Sequence, residues 1–217
     1  MFLLFFLIIG FGGLGPIPVS VSAEQASLQI FSLNRTEIEA HIAKKLNLSG
    51  NELSKFSGHL LRLCHAYRFD PAIVLSLIDV ESSFRPRVIS GKGAVGLMQI
   101  LPSTAREFGH PLGISIHSSK DLMDPFDNIS IGIAYLAYLR KSFNGHARYY
   151  LAAYNAGPAR LKKIIKTYGR NSDPYRLYVR KIEKKLENYI EKEVVLEEFE
   201  SEFKAKISQA VLKSFEA

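Results

Sequence analysis

The chain has 217 residues, of which 47% are hydrophobic and 23% charged, and its formal net charge is +7. These proportions are typical of a soluble globular protein of one domain and exclude a chain that is disordered over most of its length. The pI of about 9.4 predicts an acidic partner such as nucleic acid, an anionic membrane or another anionic polymer. The single cysteine, Cys64, excludes an intramolecular disulfide and a cysteine-rich zinc site. We expect no metal ion and no other cofactor.

The first 23 residues carry no acidic or basic side chain, and the run from Phe2 to Phe11 is almost continuously apolar. That run is shorter than the roughly 20 apolar residues that a membrane span needs, but it suits the apolar region of a secretory signal peptide. The small residues Val21-Ser22-Ala23 predict cleavage after Ala23. The expected product is an exported protein of the periplasm or cell envelope, without a stable membrane span. An uncleaved membrane anchor is the alternative, because the usual basic residues before the apolar run are missing.

After this leader the hydrophobic pattern predicts helices almost throughout and no convincing strand. A helix is expected behind the capping-box pattern Thr36-Glu37-Ile38-Glu39, and a second apolar helix ends near Arg68. Asp-Pro pairs predict two further starts, because aspartate caps a helix and proline suits its first position. These pairs are Asp70-Pro71, whose helix reaches Glu81, and Asp124-Pro125. Other helices are expected from Pro102 and over residues 146–155 and 158–168, with a loop at 90–93 and an irregular stretch at 96–100.

The C-terminal stretch from residue 181 onward differs in charge, since it holds nine acidic and seven basic residues. The preceding part therefore holds 21 bases and 12 acids, and the basic character of the chain lies there. An apolar stripe at helical spacing predicts an amphipathic helix in this stretch, formed by Leu196, Phe199, Phe203, Ile207 and Val211. We expect it to pack on the domain; a docking helix for a partner or a coiled-coil dimer is the alternative.

Three short clusters combine residues suited to chemistry. The first is Glu81-Ser82 at a helix end, the second is Gly96-Leu97-Met98-Gln99 after a glycine-rich loop, and the third is Ala153-Tyr154-Asn155-Ala156-Gly157. Each has an ordinary structural interpretation when taken alone. A glutamate at a helix end is usually solvated, asparagine and glycine favour helix C-termini, and glycine serves turns.

The order and spacing of these clusters are more informative. The chain reads E-S-x-F from Glu81, G-x-x-G-L-M-Q-I-x-P-x-T-A from Gly93, D-P-x-x-N-I-x-x-G-x-x-Y-L from Asp124 and A-Y-N-A-G from Ala153. This series resembles the soluble lytic transglycosylase family, whose members have a lysozyme-like fold and cleave peptidoglycan glycan strands. The resemblance runs from about Asp70 to Ile182. A tyrosine that such enzymes usually carry is found at Tyr178-Val179.

The resemblance implies a mainly α, lysozyme-like catalytic domain over residues 70–182. Helical extensions at 24–69 and 183–217 flank it, and a signal peptide occupies 1–23. It aligns Glu81 with the family's single catalytic acid. The flanking Leu77, Ile78 and Val80, with Phe84 and Met98 as candidate walls, predict a buried carboxyl of raised pKa.

The other carboxylates near Glu81 or near the motifs do not offer a convincing second catalytic group. Asp79 is two residues from Glu81 and does not share its helix face. Asp121, Asp124 and Asp127 are better interpreted as loop and cap residues. In the family, the acid protonates the oxygen between N-acetylmuramic acid and N-acetylglucosamine. It then acts as base on the muramic C6 hydroxyl, giving a 1,6-anhydromuramic end without water.

The resemblance also implies substrate-binding positions. Ser82 and Gln99 are expected to bond sugar groups or to hold Glu81, Met98 and Tyr178 to line the cleft, and Gly96 to admit close approach of the backbone. Tyr154 is expected near the scissile bond and Asn155 near the N-acetyl group, although capping also explains Ser82 and Asn155. Asp124, Asn128 and Tyr135 are expected to serve the fold instead.

The expected partner is peptidoglycan, whose peptide carboxylates match the basic domain, and not nucleic acid, because no nucleic-acid-binding module is apparent. A role beside an envelope secretion or conjugation apparatus is a further hypothesis. Two alternatives to the transglycosylase remain: a goose-type lysozyme-like hydrolase that uses the same glutamate, and a non-catalytic glycan-binding subunit of an envelope-spanning machine.

Overall fold

A computed structural model of the chain describes residues 35–169 and 175–189. The predicted leader over residues 1–23 and the apolar stripe from Leu196 to Val211 lie outside these ranges. The described residues all belong to one contact unit. No helix within the described ranges is both long enough and apolar enough to cross a bilayer.

The described chain is built from helices. They are α1 (Arg35–Leu46), α2 (Gly50–Tyr67), α3 (Pro71–Ser82), α4 (Pro102–Gly109), α5 (Pro125–Ser142), α6 (Ala147–Ala156), α7 (Pro158–Tyr168) and α8 (176–189). Two short 3-10 turns cover His110–Leu112 and Asp121–Met123. In the described ranges, strand pairing is limited to isolated bridges that join Val95 to Ile89 and to Ile100. The chain is therefore mainly α, as predicted.

Helix α3 presents Glu81 in its last turn, and local signals determine both of its ends. At the start, the Asp70 side chain accepts a hydrogen bond of 2.8 Å from the Ala72 backbone N–H, which confirms the predicted cap. At the end, Ser83 and Phe84 adopt left-handed backbone conformations, with φ of 52° and 61°. The helix therefore ends at Ser82, four residues before Pro86.

Helix α5 is the central element of the domain and packs against α2, α4 and α6. Its start is capped as predicted, because Asp124 Oδ1 accepts from the backbone N–H groups of Phe126 and Asp127 at 2.9 and 3.0 Å. Burial of each large aliphatic side chain stabilises the fold by about 1.5–3 kcal/mol. The fully buried ones in α5 are Ile129, Ile131, Ile133, Leu136 and Leu139.

The two ends of the described chain differ in detail from the sequence-based expectations. Helix α1 already includes Arg35, so Thr36 lies in its first turn and is not its N-cap. At the other end, α8 continues through residues 182 and 183, where the boundary between catalytic domain and C-terminal helix was expected. Val179, Ile182 and Tyr189 of α8 are buried. The folded body therefore includes α8 as far as residue 189.

Candidate active site

Glu81 lines a cleft of about 680 Å³ that lies between α3, the loop over residues 90–101, α5 and the junction of α6 and α7. Most of the lining is small or apolar. The lining residues are Glu81, Ser90, Gly91, Lys92, Ala94, Gln99, Ile100, Leu101, Thr104, Tyr135, Tyr154, Asn155, Ala156, Gly157 and Arg160.

The Glu81 carboxyl is set for proton transfer near neutral pH. Burial removes water from the carboxylate and raises the pKa of Glu81 to about 7. A hydrogen bond donated by the Tyr178 hydroxyl to Glu81 Oε1 acts in the opposite direction and lowers this pKa. The pKa of Glu81 is therefore raised, as expected, and a large fraction of the carboxyl groups is protonated at neutral pH.

Tyr154 forms the wall next to Glu81. Its hydroxyl donates a 2.9 Å hydrogen bond to the Met98 carbonyl, and its ring lies 5.4 Å from that of Tyr135. Burial, followed by the nearby Glu81 carboxylate, raises the pKa of Tyr154 well above its usual value. Tyr154 is therefore a neutral group that fastens the loop carrying Met98 to α6.

One buried side chain, Asn128 of α5, supports the loop that forms the cleft floor. Its Oδ1 accepts from the Met98 backbone N–H at 2.8 Å, and its Nδ2 donates to the carbonyls of Val95 and Leu122 at 2.9 and 2.8 Å. Gly96, with φ of +82°, lies directly against this amide. A Cβ at Gly96 would collide with the Asn128 amide and lie 2.5 Å from the Leu122 carbonyl oxygen.

The structure brings some of the predicted site residues to the cleft and not others. Glu81, Gln99, Tyr154 and Asn155 line it, and Tyr178 reaches the Glu81 carboxyl from α8. Gln99 also folds back on its own loop, since its Nε2 donates to the carbonyls of Val88 and Gly96 at 3.2 and 3.0 Å.

Ser82, Gly96 and Met98 do not line the cleft. Ser82 is 1% exposed and donates through Oγ to the Ile78 carbonyl at 3.2 Å, and Met98 is fully buried. Met98 instead packs against Gly132 of α5, because a Cβ on that glycine would lie 2.9 Å from Met98 Cβ. Ser82, Gly96 and Met98 therefore support the residues that line the cleft without lining it themselves.

Several cleft residues were not among the predicted ones. Tyr135 was expected to serve only the fold, yet it lines the cleft, and burial raises the pKa of Tyr135 to about 12. Lys92 and Arg160 place two cations at the cleft. Lys92 lies within the glycine-rich loop over residues 90–93, and Arg160 comes just after A-Y-N-A-G. These positions are the sequence signal that could have identified them.

Among the described cleft-lining residues, Glu81 provides the one carboxyl group. Other carboxylates are engaged elsewhere. Asp79 pairs with Lys185 and Lys45 at 3.1 and 3.6 Å, while Asp121 accepts from two backbone N–H groups of its own turn. Over residues 35–169 and 175–189, no three His, Cys, Asp or Glu side chains are grouped as a metal site would need.

Comparison with known proteins gives a consistent result. The family profile "Transglycosylase SLT domain" matches residues 62–176. The soluble lytic murein transglycosylase of Escherichia coli K12 is 35% identical over 123 residues, which is 56% of this chain and 18% of that protein. Membrane-bound lytic murein transglycosylase C of Sodalis glossinidius is 29% identical over 152 residues, covering 63% of this chain and 39% of that protein.

A solved structure agrees in fold. The crystal structure of an inactive mutant of lytic transglycosylase Slt from Pseudomonas aeruginosa matches with a TM-score of 0.57 and 26% identity, over 78% of this chain and 32% of that chain. The mainly α, lysozyme-like fold class is thereby confirmed. The chain spans less than two fifths of the length of each of these relatives.

Proposed function

Because the protein belongs to the transglycosylase SLT domain family, we propose that it cleaves the glycan strands of peptidoglycan by lytic transglycosylation. The proposal extends to this chain the activity that its relatives' names state, lytic transglycosylation of murein. The observation that carries it is the Glu81 carboxyl, which is partly buried at the cleft and has a pKa of about 7.

A single acid suits this reaction better than a two-carboxylate one. Most glycoside hydrolases use a pair of carboxyl groups roughly 5–10 Å apart, one as acid and the other as base or nucleophile. The described lining of this cleft offers Glu81 alone, and Asp79 is engaged by two lysines behind it. The inactive Slt mutant of Pseudomonas aeruginosa, in which glutamine replaces a glutamate, also supports a reaction that depends on a glutamate.

In the proposed reaction, Glu81 first donates its proton to the oxygen that links N-acetylmuramic acid to N-acetylglucosamine. The bond from muramic C1 to that oxygen breaks, and the leaving sugar departs with the proton. The Glu81 carboxylate then takes the proton of the muramic C6 hydroxyl while its oxygen bonds to C1. Glu81 ends protonated, the product carries a 1,6-anhydro ring, and no water is consumed. The attacking hydroxyl belongs to the same sugar and so has a high effective concentration.

The neighbouring residues support this step in different ways. Tyr178 orients the Glu81 carboxyl through its hydrogen bond, and Gln99 and Asn155 offer amide groups to the sugar at the cleft wall. Tyr154 lines the cleft next to the scissile bond. We assign the buried Ser82 and Met98, together with Gly96, to shaping the site and not to direct sugar contact.

The substrate class agrees with the charge at the cleft. Lys92 and Arg160 are the cationic residues of the described lining, and peptidoglycan carries carboxylates on its peptide stems. Cations at the cleft raise the rate of encounter with such a polymer. Export to the periplasm or cell envelope agrees with this substrate, and so does work beside an envelope-spanning apparatus. Both remain predictions.

Digestion of purified cell-wall sacculi tests the proposal, with mass spectrometry of the released fragments. We expect 1,6-anhydromuropeptides from the parent protein and none from Glu81→Gln. Glu52→Gln, which removes an exposed carboxylate from the first turn of α2, should digest like the parent. Reducing ends would instead identify a hydrolase, and binding of sacculi without digestion would identify a glycan-binding subunit. Full activity of Glu81→Gln would refute the role of Glu81.

A further inference from the structure

Two helices outside the matched family domain meet behind the catalytic glutamate. The family match covers residues 62–176, so α1 and all but the first residue of α8 lie outside it. Both helices nevertheless contact α3 or the residues that follow it. These contacts raise the question of what the flanking helices do for the site.

Helix α8 touches α3 at two points. The Tyr178 hydroxyl donates to the Glu81 carboxyl, and the Lys185 ammonium lies 3.1 Å from Asp79 Oδ2. Tyr178 and Lys185 are seven residues apart, which places them on one face of a helix. Asp79 and Glu81 are two residues apart and point in different directions from α3. The same face of α8 thus engages the catalytic carboxyl and a second carboxylate beside it.

Helix α1 completes the arrangement around Asp79. The Lys45 ammonium lies 3.6 Å from Asp79 Oδ2 and 5.9 Å from the centre of the Phe84 ring. His41 Nε2 forms a 2.6 Å hydrogen bond with the Tyr189 hydroxyl of α8, and the His41 ring lies 5.3 Å from that of Phe84. Helix α1 therefore holds both the far end of α8 and the residues that follow Glu81.

Asp79 is the residue on which these contacts converge. Its side chain is 8% exposed, while those of Lys45 and Lys185 are 35% and 40% exposed. A carboxylate that is almost fully removed from water needs charged partners, and loss of either the carboxylate or its partners destabilises the arrangement. The two lysines come from α1 and α8, so Asp79 connects both flanking helices to α3.

We propose that Asp79 is a positioning residue: by pairing with Lys185 and Lys45 it fastens α8 to α3, so that the Tyr178 hydroxyl stays on the Glu81 carboxyl. This inference rests on the proposed function, in which Glu81 is the acid. Asp79 itself is not among the described residues that line the cleft. Its effect on turnover passes through Tyr178.

A double-mutant cycle measures whether the effect of Asp79 on turnover depends on Tyr178. We expect Asp79→Asn, which keeps the size and removes the charge, to lower kcat per folded molecule about tenfold, a fraction of the roughly 100- to 10,000-fold that a general acid supplies. In the Tyr178→Phe background the same substitution should change kcat less than about twofold, because residues in one network are not additive. Asp79→Glu should restore most of the lost activity. Equal losses of kcat in the two backgrounds would overturn the proposal.

Backbone hydrogen exchange supplies a readout that does not depend on catalysis. Asp79→Asn should speed exchange in α8 relative to α5, and Asp79→Glu should not. Glu52→Gln is the control. It removes an exposed carboxylate from the first turn of α2, and it should leave exchange in α8 and turnover unchanged. Unchanged exchange in α8 of Asp79→Asn overturns the fastening whatever the activity. A parent protein that releases no anhydro-muropeptides refutes the proposed function alone.

Discussion

The Tyr178 hydroxyl donates its hydrogen bond to the Glu81 carboxyl across a separation of 97 residues in the chain. The donor belongs to α8, which follows the family match, and the acceptor lies in α3, within it. Burial raises the pKa of Glu81 to about 7 and is the larger influence, while this bond opposes it. The protonation state of the proposed acid therefore depends on contacts between segments that are far apart in the sequence.

The pH dependence of turnover should report the Glu81 carboxyl directly. As a general acid Glu81 must start protonated, so we expect kcat/KM to fall as pH rises through about 7. Tyr178→Phe removes an influence that lowers the pKa of Glu81, so its fall should occur at higher pH, with a lower plateau. Tyr168→Phe, at an exposed tyrosine, should behave like the parent. A midpoint near 4.5, the ordinary value for glutamate, would contradict the buried-acid assignment.

The same carboxyl should make stability depend on pH. The folded-state pKa of Glu81 is raised from 4.5 to about 7, so folding favours the protonated form. This stabilisation is complete below the unfolded pKa and is lost as pH rises through the folded one. Glu81→Gln stays neutral, so above pH 7 it should exceed the parent in free energy of unfolding by up to about 3 kcal/mol.

Urea unfolding of the parent and Glu81→Gln at low and high pH measures this difference. The advantage of Glu81→Gln should shrink toward zero at low pH, where the parent carboxyl is protonated in both states. Glu52→Gln controls for the general loss of a carboxylate. An advantage of the same size at both pH values would show that the Glu81 charge is not the cause.

Asn128 should matter more for the cleft floor than its small side chain suggests. Asn128→Ala leaves the Met98 N–H and the Val95 and Leu122 carbonyls without their partner. Unsatisfied buried groups cost about 1–3 kcal/mol each, so we expect a loss of about 3 kcal/mol or more in the free energy of unfolding. Asn51→Ala, at an exposed position of α2, should change it by less than about 0.5 kcal/mol. Similar values for both variants would contradict the role of Asn128.

Two glycines with left-handed backbones allow the cost of backbone strain to be measured apart from the cost of a steric collision. Gly93 and Gly96 have φ of +78° and +82°, but a Cβ at Gly93 would meet no atom within 4 Å, whereas at Gly96 it would meet Asn128 and Leu122. Gly93→Ala should therefore cost about 1–2 kcal/mol from backbone strain, and Gly96→Ala clearly more, with loss of digestion. Thermal unfolding and sacculus digestion measure both effects. Equal stability of the two variants would refute the collision.

The cations at the cleft should act on an anionic substrate and depend on salt. We expect Lys92→Gln and Arg160→Gln to raise KM for sacculi about three- to tenfold at low ionic strength and less at high, with kcat little changed. Lys55→Gln and Arg62→Gln are matched controls, since both residues line a separate surface pocket. An equal increase in KM for all four variants would indicate a general effect of net charge.

The helices that were predicted correctly are those whose signals are local. Asp70 and Asp124 cap α3 and α5 through side chains that accept from backbone groups two or three residues away. Such contacts need no tertiary partner, so the sequence suffices to place them. The prediction that the first helix begins with Thr36 as its N-cap was wrong, because the helix already includes Arg35. A capping-box pattern can also occur inside the first turn of a helix.

The sequence predicted those residues of the candidate site that belong to the family motifs. The series of motifs identified Glu81 and the cleft residues Gln99, Tyr154 and Asn155, because their order along the chain is characteristic of the family. It did not show that Tyr135 lines the cleft. Its position on α5 suits either a core or a cleft residue, and the choice depends on what the other helices leave uncovered.

The sequence by itself determined the mainly α class, the family and the identity of the candidate acid, since periodicity, caps and motif spacing are properties of short segments. Only the tertiary structure decided the pKa of that acid and the contacts that position it. The raised pKa of Glu81 requires the packing that excludes water. Its bond to Tyr178 and the pairing of Asp79 with Lys45 and Lys185 require three helices to meet. Burial and distance between remote segments arise only when the chain packs, and no local pattern records them.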